Sequence, residues 1–188
     1  MMMNNLSVGL WEYCLEKGLH ISAAHIPGKH NILADTASRV FHDAAEWMLS
    51  PQVFQEITCQ FGKPEIDLFT SRLNKQVPIY ESWKPDPESA FIDAMLISWS
   101  NKFIYLFPPF SMIWPALSKL EKDKVERAIF VTPRWSTQSL FPRIIRKAMA
   151  PPMIVCSCTL ILPGTTKVHP LAPKLQLQVI LCSWRDSR

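Results

Sequence analysis

The stretch KFIYLFPPFS, residues 102–111, contains a short apolar segment, a rigid stop and the start of a new element. Lys102 to Phe107 has the length and composition of a buried strand. Pro108 and Pro109 end it, because proline has no amide hydrogen to donate to a sheet. A helix is predicted from Ser111 to Leu120. A buried strand followed at once by a helix is typical of a layered α/β fold.

The same alternation continues on both sides of this stretch. Ser50 can cap a helix that has Pro51 at its first position and Gly62 at its end. A further helix is predicted from Ser139 to Met149. Strands are predicted at three places: Glu65 to Phe69, Pro78 to Trp83, and Arg127 to Val131. Strands that alternate with helices imply parallel crossovers and a layered sheet.

The first forty residues predict a smaller helix-strand-helix pattern. Leu6, Leu10 and Cys14 recur at helical spacing, and Gly18 can end that helix. A strand is predicted from His20 to Ile26, and a second helix after Asn31 to about residue 40. Because a helix begins almost at once after three methionines, we expect the chain to start inside a larger domain.

Composition limits the classes of protein that need to be considered. Of the 188 residues, 48% are hydrophobic, which is enough to form a buried core. The net charge of +4 favours an anionic partner only weakly. The five cysteines are an odd number at wide spacings, which predicts reduced thiols in an intracellular protein of the cytoplasm or nucleus. No apolar run approaches the length of a bilayer span, so membrane insertion is not expected.

One motif is the run HIPGKHNILADTASR, residues 25–39. It resembles the closing segment of ribonuclease H domains in retroelement reverse transcriptases. The resemblance implies that Asp35 is the last carboxylate of a Mg²⁺ site, that His25 assists product release and that Asn31 steadies the loop. The alternative is that His25 only ends a strand and that Asp35 only lies on a helix, without a role in catalysis.

The ribonuclease resemblance also implies that the metal site needs carboxylates other than Asp35. Hydrolysis of a phosphodiester by two Mg²⁺ ions needs several carboxylates, and in the family the others come from earlier parts of the domain. We therefore expect Asp35 to bind metal only together with acids outside this chain. An RNA/DNA hybrid or DNA would be bound through a parent polyprotein, and the chain alone is expected to be inactive.

The second motif is FPPF, residues 107–110. It resembles the Asn/Asp-Pro-Pro-Tyr/Phe loop of amino-group methyltransferases, especially the phage adenine methyltransferase-like module that follows ribonuclease H in DIRS-type retrotransposons. Four further segments occur in the order of that module: EIDLFTSRLN (65–74), YESW (80–83), WS (99–100) and VTPRWSTQS (131–139). The alternative is that the two prolines simply end a core strand.

This resemblance implies a cleft for a nucleotide or S-adenosylmethionine, lined by Asp67 and Asn74 together with Pro108 and Pro109. Phe110 would stack on a flipped-out base. The first residue of the family's loop accepts a hydrogen bond from the target amine, and Phe107 cannot do so. Methyl transfer is therefore not expected, and S-adenosylmethionine is a doubtful cofactor.

Together these observations predict four segments. Residues 1–40 form the C-terminal fragment of a ribonuclease H-like domain, 41–49 a linker, 50–150 a methyltransferase-like module with a small Rossmann-like layered sheet, and 151–188 a loosely attached, proline-rich tail with short strands. The first functional hypothesis is a fragment of a retroelement reverse transcriptase/ribonuclease H polyprotein. The second is a catalytically silent nucleic-acid-binding or linker module, and the third is an S-adenosylmethionine-dependent DNA adenine methyltransferase.

Overall fold

A computed structural model describes residues 2–20, 47–165 and 167–185. The chain divides into two compact units, Met1–His42 and Asp43–Arg188. The predicted strand from residue 21 onwards and the predicted second helix lie outside the described residues. In these three ranges no helix is both long and apolar enough to cross a membrane.

The described part of the first unit contains the predicted helix. Helix α1 spans Met2–Glu16. Gly18, at φ 61°, adopts the left-handed conformation expected of a residue that ends a helix, and the next amide, of Leu19, donates to the Cys14 carbonyl at 2.8 Å. The prediction of this helix and its end is confirmed.

The second unit is a mixed α/β structure with short elements. Its helices are α2 (Pro51–Phe61), α3 (Ile113–Lys122) and α4 (Leu140–Ile145). Its strands are β1 (Met48–Leu49), β2 (Ile66–Thr70), β3 (Tyr80–Ser82), β4 (Phe91–Ile92), β5 (Phe103–Leu106), β6 (Arg127–Pro133), β7 (Met153–Cys156), β8 (Leu160–Ile161) and β9 (Gln176–Cys182).

Seven of these strands form one mostly parallel sheet in the order β4-β3-β2-β5-β6-β9-β7. The first five in that order are parallel to their neighbours, whereas β9 is antiparallel to both β6 and β7. Strands β1 and β8 pair antiparallel in a separate two-stranded sheet. The prediction of a layered α/β sheet with parallel crossovers is confirmed.

Helix α2 begins and ends where its sequence predicts. The Ser50 hydroxyl accepts a hydrogen bond from the Val53 amide at 3.5 Å, and Pro51 occupies the first turn, where its missing amide hydrogen is not needed. Gly62, at φ 89°, ends the helix. The buried face of α2 consists of Phe54, Ile57 and Phe61.

Strand β5 is buried on both faces, and all four of its residues are apolar or aromatic. In β5, Ile104 and Leu106 belong to one core, and Phe103 and Tyr105 belong to the other. Helices α3 and α4 contribute to the first core and α2 to the second. This alternation follows from the two-residue period of a strand.

The expectation of a loosely attached tail after residue 150 is wrong for the two strands β7 and β9. Strand β9 lies between β6 and β7, and its side chains alternate between the two cores, with Val179 and Ile180 fully buried. The predicted linker 41–49 also needs correction at its end. Met48 and Leu49 form β1, and Leu49 is fully buried against the second core.

The prediction that all five cysteines are reduced is also wrong for one pair. Cys156 ends β7 and Cys158 lies in the following 3₁₀ turn, and their sulfur atoms are joined in a disulfide. The tight turn brings the two side chains together over a separation of two residues. Cys14, Cys59 and Cys182 are free thiols.

If β9 belongs to the core, shortening one of its buried side chains should destabilise the protein strongly. Ile180→Ala should lower the free energy of unfolding by about 2–5 kcal/mol, because it leaves a cavity in a packed core. Ile154→Ala on the neighbouring strand β7, where the side chain is 48% exposed, should lower it by less than about 1 kcal/mol. Urea unfolding measures both, and equal effects would contradict the placement of β9.

Candidate functional site

A cavity of about 630 Å³ lies at the carboxyl ends of the parallel strands. From β2 the chain proceeds to β3 and β4 on one side of the sheet, and β5 and β6 lie on the other side. The order therefore reverses between β2 and β5. In open α/β sheets, ligands bind at this reversal, where the loops that follow the two strands diverge.

The loop after β5 forms one wall of the cavity. Phe107, Pro108, Pro109 and Phe110 all line it. The Phe107 ring also packs on the second core, and Phe110 meets Trp135 edge to face, with ring centroids 5.6 Å apart. The two prolines thus end β5 and also contribute to the cavity, and Pro108, Pro109 and Phe110 lie together there.

The loop after β2 is held by the side chain of Asn74. Its Oδ1 accepts hydrogen bonds from the Thr70 hydroxyl (2.8 Å), the Ser71 amide (2.8 Å) and the Ser71 hydroxyl (3.2 Å). Phe69, just before this loop, has φ 63°, which is a strained conformation for an aromatic residue. Asn74 lines the cavity, but its oxygen is used to fix the loop.

Asp67 does not line the large cavity. It borders a void of about 10 Å³ together with Tyr105, its partner across β2 and β5. The Gln76 amide donates to Asp67 Oδ2 at 2.7 Å, and no hydrogen bond reaches the Tyr105 hydroxyl from any residue of the described ranges. Burial raises the pKa of Asp67 from its ordinary 3.8 to about 8, and the Gln76 hydrogen bond acts in the opposite direction. Asp67 is therefore mainly protonated at neutral pH.

Glu81, in the middle of β3, is the polar residue of the cavity that sequence reasoning missed. Its side chain is fully buried and lines the cavity, and neither carboxylate oxygen has a hydrogen-bond partner among the described residues. Burial raises its pKa to about 7, and the positive charge of Lys102 acts in the opposite direction. An acid inside a short strand, between a tyrosine and a serine, was the available indication in the sequence.

An orphaned buried carboxylate points to a missing partner. Leaving such a group unpaired costs free energy, so buried polar groups in proteins nearly always have a hydrogen-bond donor or acceptor nearby. Among the described residues, Glu81 borders the cavity. A ligand in the cavity with hydroxyl or amine donors would satisfy both oxygens.

Two further surfaces complete the cavity. Trp83 follows β3 and is 57% exposed, with Lys84 Nζ 4.0 Å from its ring centre. Trp47 and His169 line the cavity from the side of β1 and β8, and their ring centroids are 4.6 Å apart. The cavity therefore combines aromatic walls with a small number of polar groups, as small-molecule sites do.

The residues of the first sequence motif cannot be placed. His25, Asn31 and Asp35 lie outside the described residues, so the Mg²⁺ site predicted at Asp35 remains a prediction. Within residues 2–20, 47–165 and 167–185, no three His, Cys, Asp or Glu side chains gather as a metal site.

Comparison with known proteins adds no relative, since neither a protein-family model nor a curated protein matches the chain.

The burial of Asp67 should make stability depend on pH. Below about pH 4 the carboxyl is protonated in both states. Between about pH 4 and 8 the unfolded chain releases a proton that the folded protein retains, so the free energy of unfolding falls as pH rises. Asp67→Asn should flatten this dependence and make the variant more stable than the wild type at pH 9.

Urea unfolding from pH 4 to 9 measures this effect. Glu56→Gln, on the exposed face of α2, is the matched control and should leave the pH profile unchanged. Glu81 acts in the same direction between about pH 4.5 and 7, so the profile of Asp67→Asn should retain a smaller slope there. An unchanged profile in Asp67→Asn would show that this carboxyl is ionised in the folded protein.

Proposed function

We propose that the unit Asp43–Arg188 binds an adenosyl ligand, S-adenosylmethionine or its demethylated product S-adenosylhomocysteine, in the 630 Å³ cavity. The observation that carries this proposal is the fully buried, unpartnered carboxylate of Glu81 on the cavity wall. Ribose carries two adjacent hydroxyl groups, which can donate one hydrogen bond to each carboxylate oxygen. A ribose in the cavity would therefore satisfy a group that has no hydrogen-bond partner among the described residues.

The strand order supports a Rossmann-like assignment. Counted along the chain, the five parallel strands β2 to β6 lie in the order 3-2-1-4-5, which is that of the doubly wound nucleotide-binding fold. In dinucleotide-binding members of that fold, an acid about twenty residues beyond the first turn binds a ribose hydroxyl. Glu81 lies on the second of these strands, eleven residues after Thr70 at the end of the first, so it is nearer along the chain than the acid of that fold.

The remaining walls suit the base of a nucleoside. Trp83 offers an exposed aromatic face close in sequence to Glu81, and base-aromatic stacking contributes about 1–3 kcal/mol per base. The cavity volume of about 630 Å³ falls within the ordinary range of small-molecule sites. The residues present therefore fit an adenosyl group.

S-adenosylmethionine supplies an electrophilic methyl group when it is bound, but the loop after β5 argues against transfer to an amine. Phe107 stands where the resembling enzymes have a side chain that accepts a hydrogen bond from the amine. Loss of such a contact commonly costs a few kcal/mol of transition-state stabilisation. A binding module without transfer chemistry is therefore preferred over an active adenine methyltransferase.

The retroelement origin of the chain is a separate proposal that rests on residues 25–39. Their resemblance to the end of a ribonuclease H domain supports a role within a reverse transcriptase/ribonuclease H polyprotein that acts on an RNA/DNA hybrid or DNA. In that protein, Asp35 would hold Mg²⁺ together with acids supplied from outside this chain. The unit Asp43–Arg188 would then serve as a nucleic-acid-binding or linker module beside the nuclease.

Binding of S-adenosylhomocysteine tests the first proposal. Isothermal titration calorimetry at pH 8, where Glu81 is mainly ionised, should detect binding by the wild type. Glu81→Gln should bind about 10 to 100 times more weakly, because hydrogen bonds to a charged group contribute about 1.5–3 kcal/mol. Glu56→Gln should bind like the wild type. Absence of binding by the wild type, or equal affinity in Glu81→Gln, would rule the proposal out.

Incubation with an RNA/DNA hybrid tests the expectation of nuclease inactivity. The purified chain with Mg²⁺ should release no fragments, because one carboxylate cannot hold two metal ions. Denaturing gel electrophoresis of a labelled RNA strand gives the readout. Cleavage by the wild type that Asp35→Asn abolishes would contradict the expectation and would mean that this chain contains a complete site.

A further inference from the structure

His169 is a second polar group on the cavity wall, and the function proposed above does not use it. It lies in the segment between β8 and β9 and lines the cavity with Trp47, which its ring meets edge to face. Neither sequence motif includes it. Its position and its hydrogen bonding both indicate which kind of chemical group it can bind.

The hydrogen bonding of His169 fixes which ring nitrogen carries the proton. Nδ1 accepts a hydrogen bond from the Leu171 amide at 3.0 Å, so the proton of the neutral ring is on Nε2. Burial lowers the pKa of His169 below its usual 6.5, which keeps the ring neutral near pH 7. His169 borders the cavity, so the Nε2–H group is the donor that its ring can offer to a ligand there.

The wall that carries His169 is attached to the rest of the unit by hydrogen bonds. The His169 amide donates to the Leu160 carbonyl at 3.0 Å, and β8 pairs with β1. Strand β1 is in turn joined to the loop after β2, since Gln76 Nε2 donates to the Leu49 carbonyl at 2.7 Å. His169 is therefore held in place beside the cavity.

This wall and Glu81 come from different segments of the chain. Trp47, which contacts His169, also borders the small void beside Tyr105 and Phe107 and so lies close to β2 and β5. Glu81 is on β3, one to two strand positions away, or roughly 5–10 Å at the usual strand spacing. The cavity thus has a hydrogen-bond acceptor on one strand and a donor some distance from it, with aromatic rings on its walls.

We propose that His169 Nε2 donates a hydrogen bond to the carboxylate at the amino-acid end of an S-adenosylmethionine-type ligand. This inference rests on the proposed function, in which Glu81 binds the ribose of the same molecule. An adenosyl amino acid matches Glu81 and His169, because it has a donating diol at one position and an accepting carboxylate at the other. His169 would then determine that the ligand carries an amino-acid tail and is not a simple nucleoside.

Other polar groups on the cavity wall are less suited to a carboxylate. The Thr70 hydroxyl donates to Asn74 Oδ1, and Asn74 Nδ2 donates to the Trp47 carbonyl at 3.4 Å. Glu81 and Asp93 would repel an anion when ionised. A neutral N–H donor at His169 has neither drawback.

Two ligands that differ only in the tail test this inference. Calorimetry at pH 8 compares S-adenosylhomocysteine with adenosine, using the wild type, His169→Asn and His169→Phe. Asparagine retains an acceptor for the Leu171 amide, and its NH2 group lies closer to the backbone than Nε2 does; phenylalanine retains a ring against Trp47 and has no donor. Both variants should bind S-adenosylhomocysteine about tenfold more weakly and bind adenosine as the wild type does.

Control variants separate the possible failures. His20→Phe, an exposed histidine of the first unit, should change neither affinity. Unchanged S-adenosylhomocysteine binding in both His169 variants, or an equal loss for the two ligands, would overturn the role of His169. If either of these results were found but Glu81→Gln still weakened the binding of both ligands, the proposed function would stand. Absence of binding of either ligand by the wild type would overturn both proposals.

Discussion

The parallel pairing of β2 with β5 is the contact on which the rest of the second unit depends. It joins Ile66 to Ile104, Asp67 to Tyr105 and Leu68 to Leu106. Because the neighbouring strands lie on opposite sides of this pair, the loops that follow β2 and β5 diverge and leave the cavity between them. Ile66 and Leu68 of β2 and Ile104 and Leu106 of β5 pack into the first core, whereas on the other face Phe103 and Tyr105 of β5 pack into the second core, and this burial fixes the register of the pair.

Asp67 and Glu81 are both buried near this end of the sheet, but their hydrogen bonding and surroundings differ. Asp67 receives a hydrogen bond from the backbone and sits beside a void of about 10 Å³, where a raised pKa keeps it neutral. Glu81 has no partner among the described residues and faces a cavity of about 630 Å³. Natural domains are stable by only about 5–15 kcal/mol, so an unpaired buried carboxylate is a substantial cost. Such costs are typical of binding sites, where a ligand supplies the missing interactions.

The loop after β5 offers surface against which a ligand can pack, but it lacks the hydrogen-bond acceptor that methyl transfer to an amine requires. Its prolines set the shape of the cavity wall, and Phe110 keeps an aromatic ring there against Trp135. Phe107 contributes only apolar surface, so this wall can pack against a flat group but cannot orient an amine. The acceptor at Glu81 and the donor at His169 lie elsewhere on the cavity. In the proposed function, recognition of a ligand depends on these two residues more than on the loop that resembles a catalytic motif.

The sequence by itself determined the local elements and one wall of the site. Ser50, Pro51 and Gly62 placed α2, and the apolar run before Pro108 placed β5, because capping, proline and apolar runs act over a few residues. Pro108, Pro109, Phe110 and Asn74, which the methyltransferase resemblance implies as parts of a cleft, line one cavity. Only the tertiary structure decided that β9 pairs with β6 across more than forty residues, that Asp67 lies outside the main cavity, and that Glu81 and His169 line it. These features depend on strand pairings between distant segments. The side chains of a strand alternate with a period of two residues whichever strand it pairs with, so the pattern in the sequence does not identify the partner.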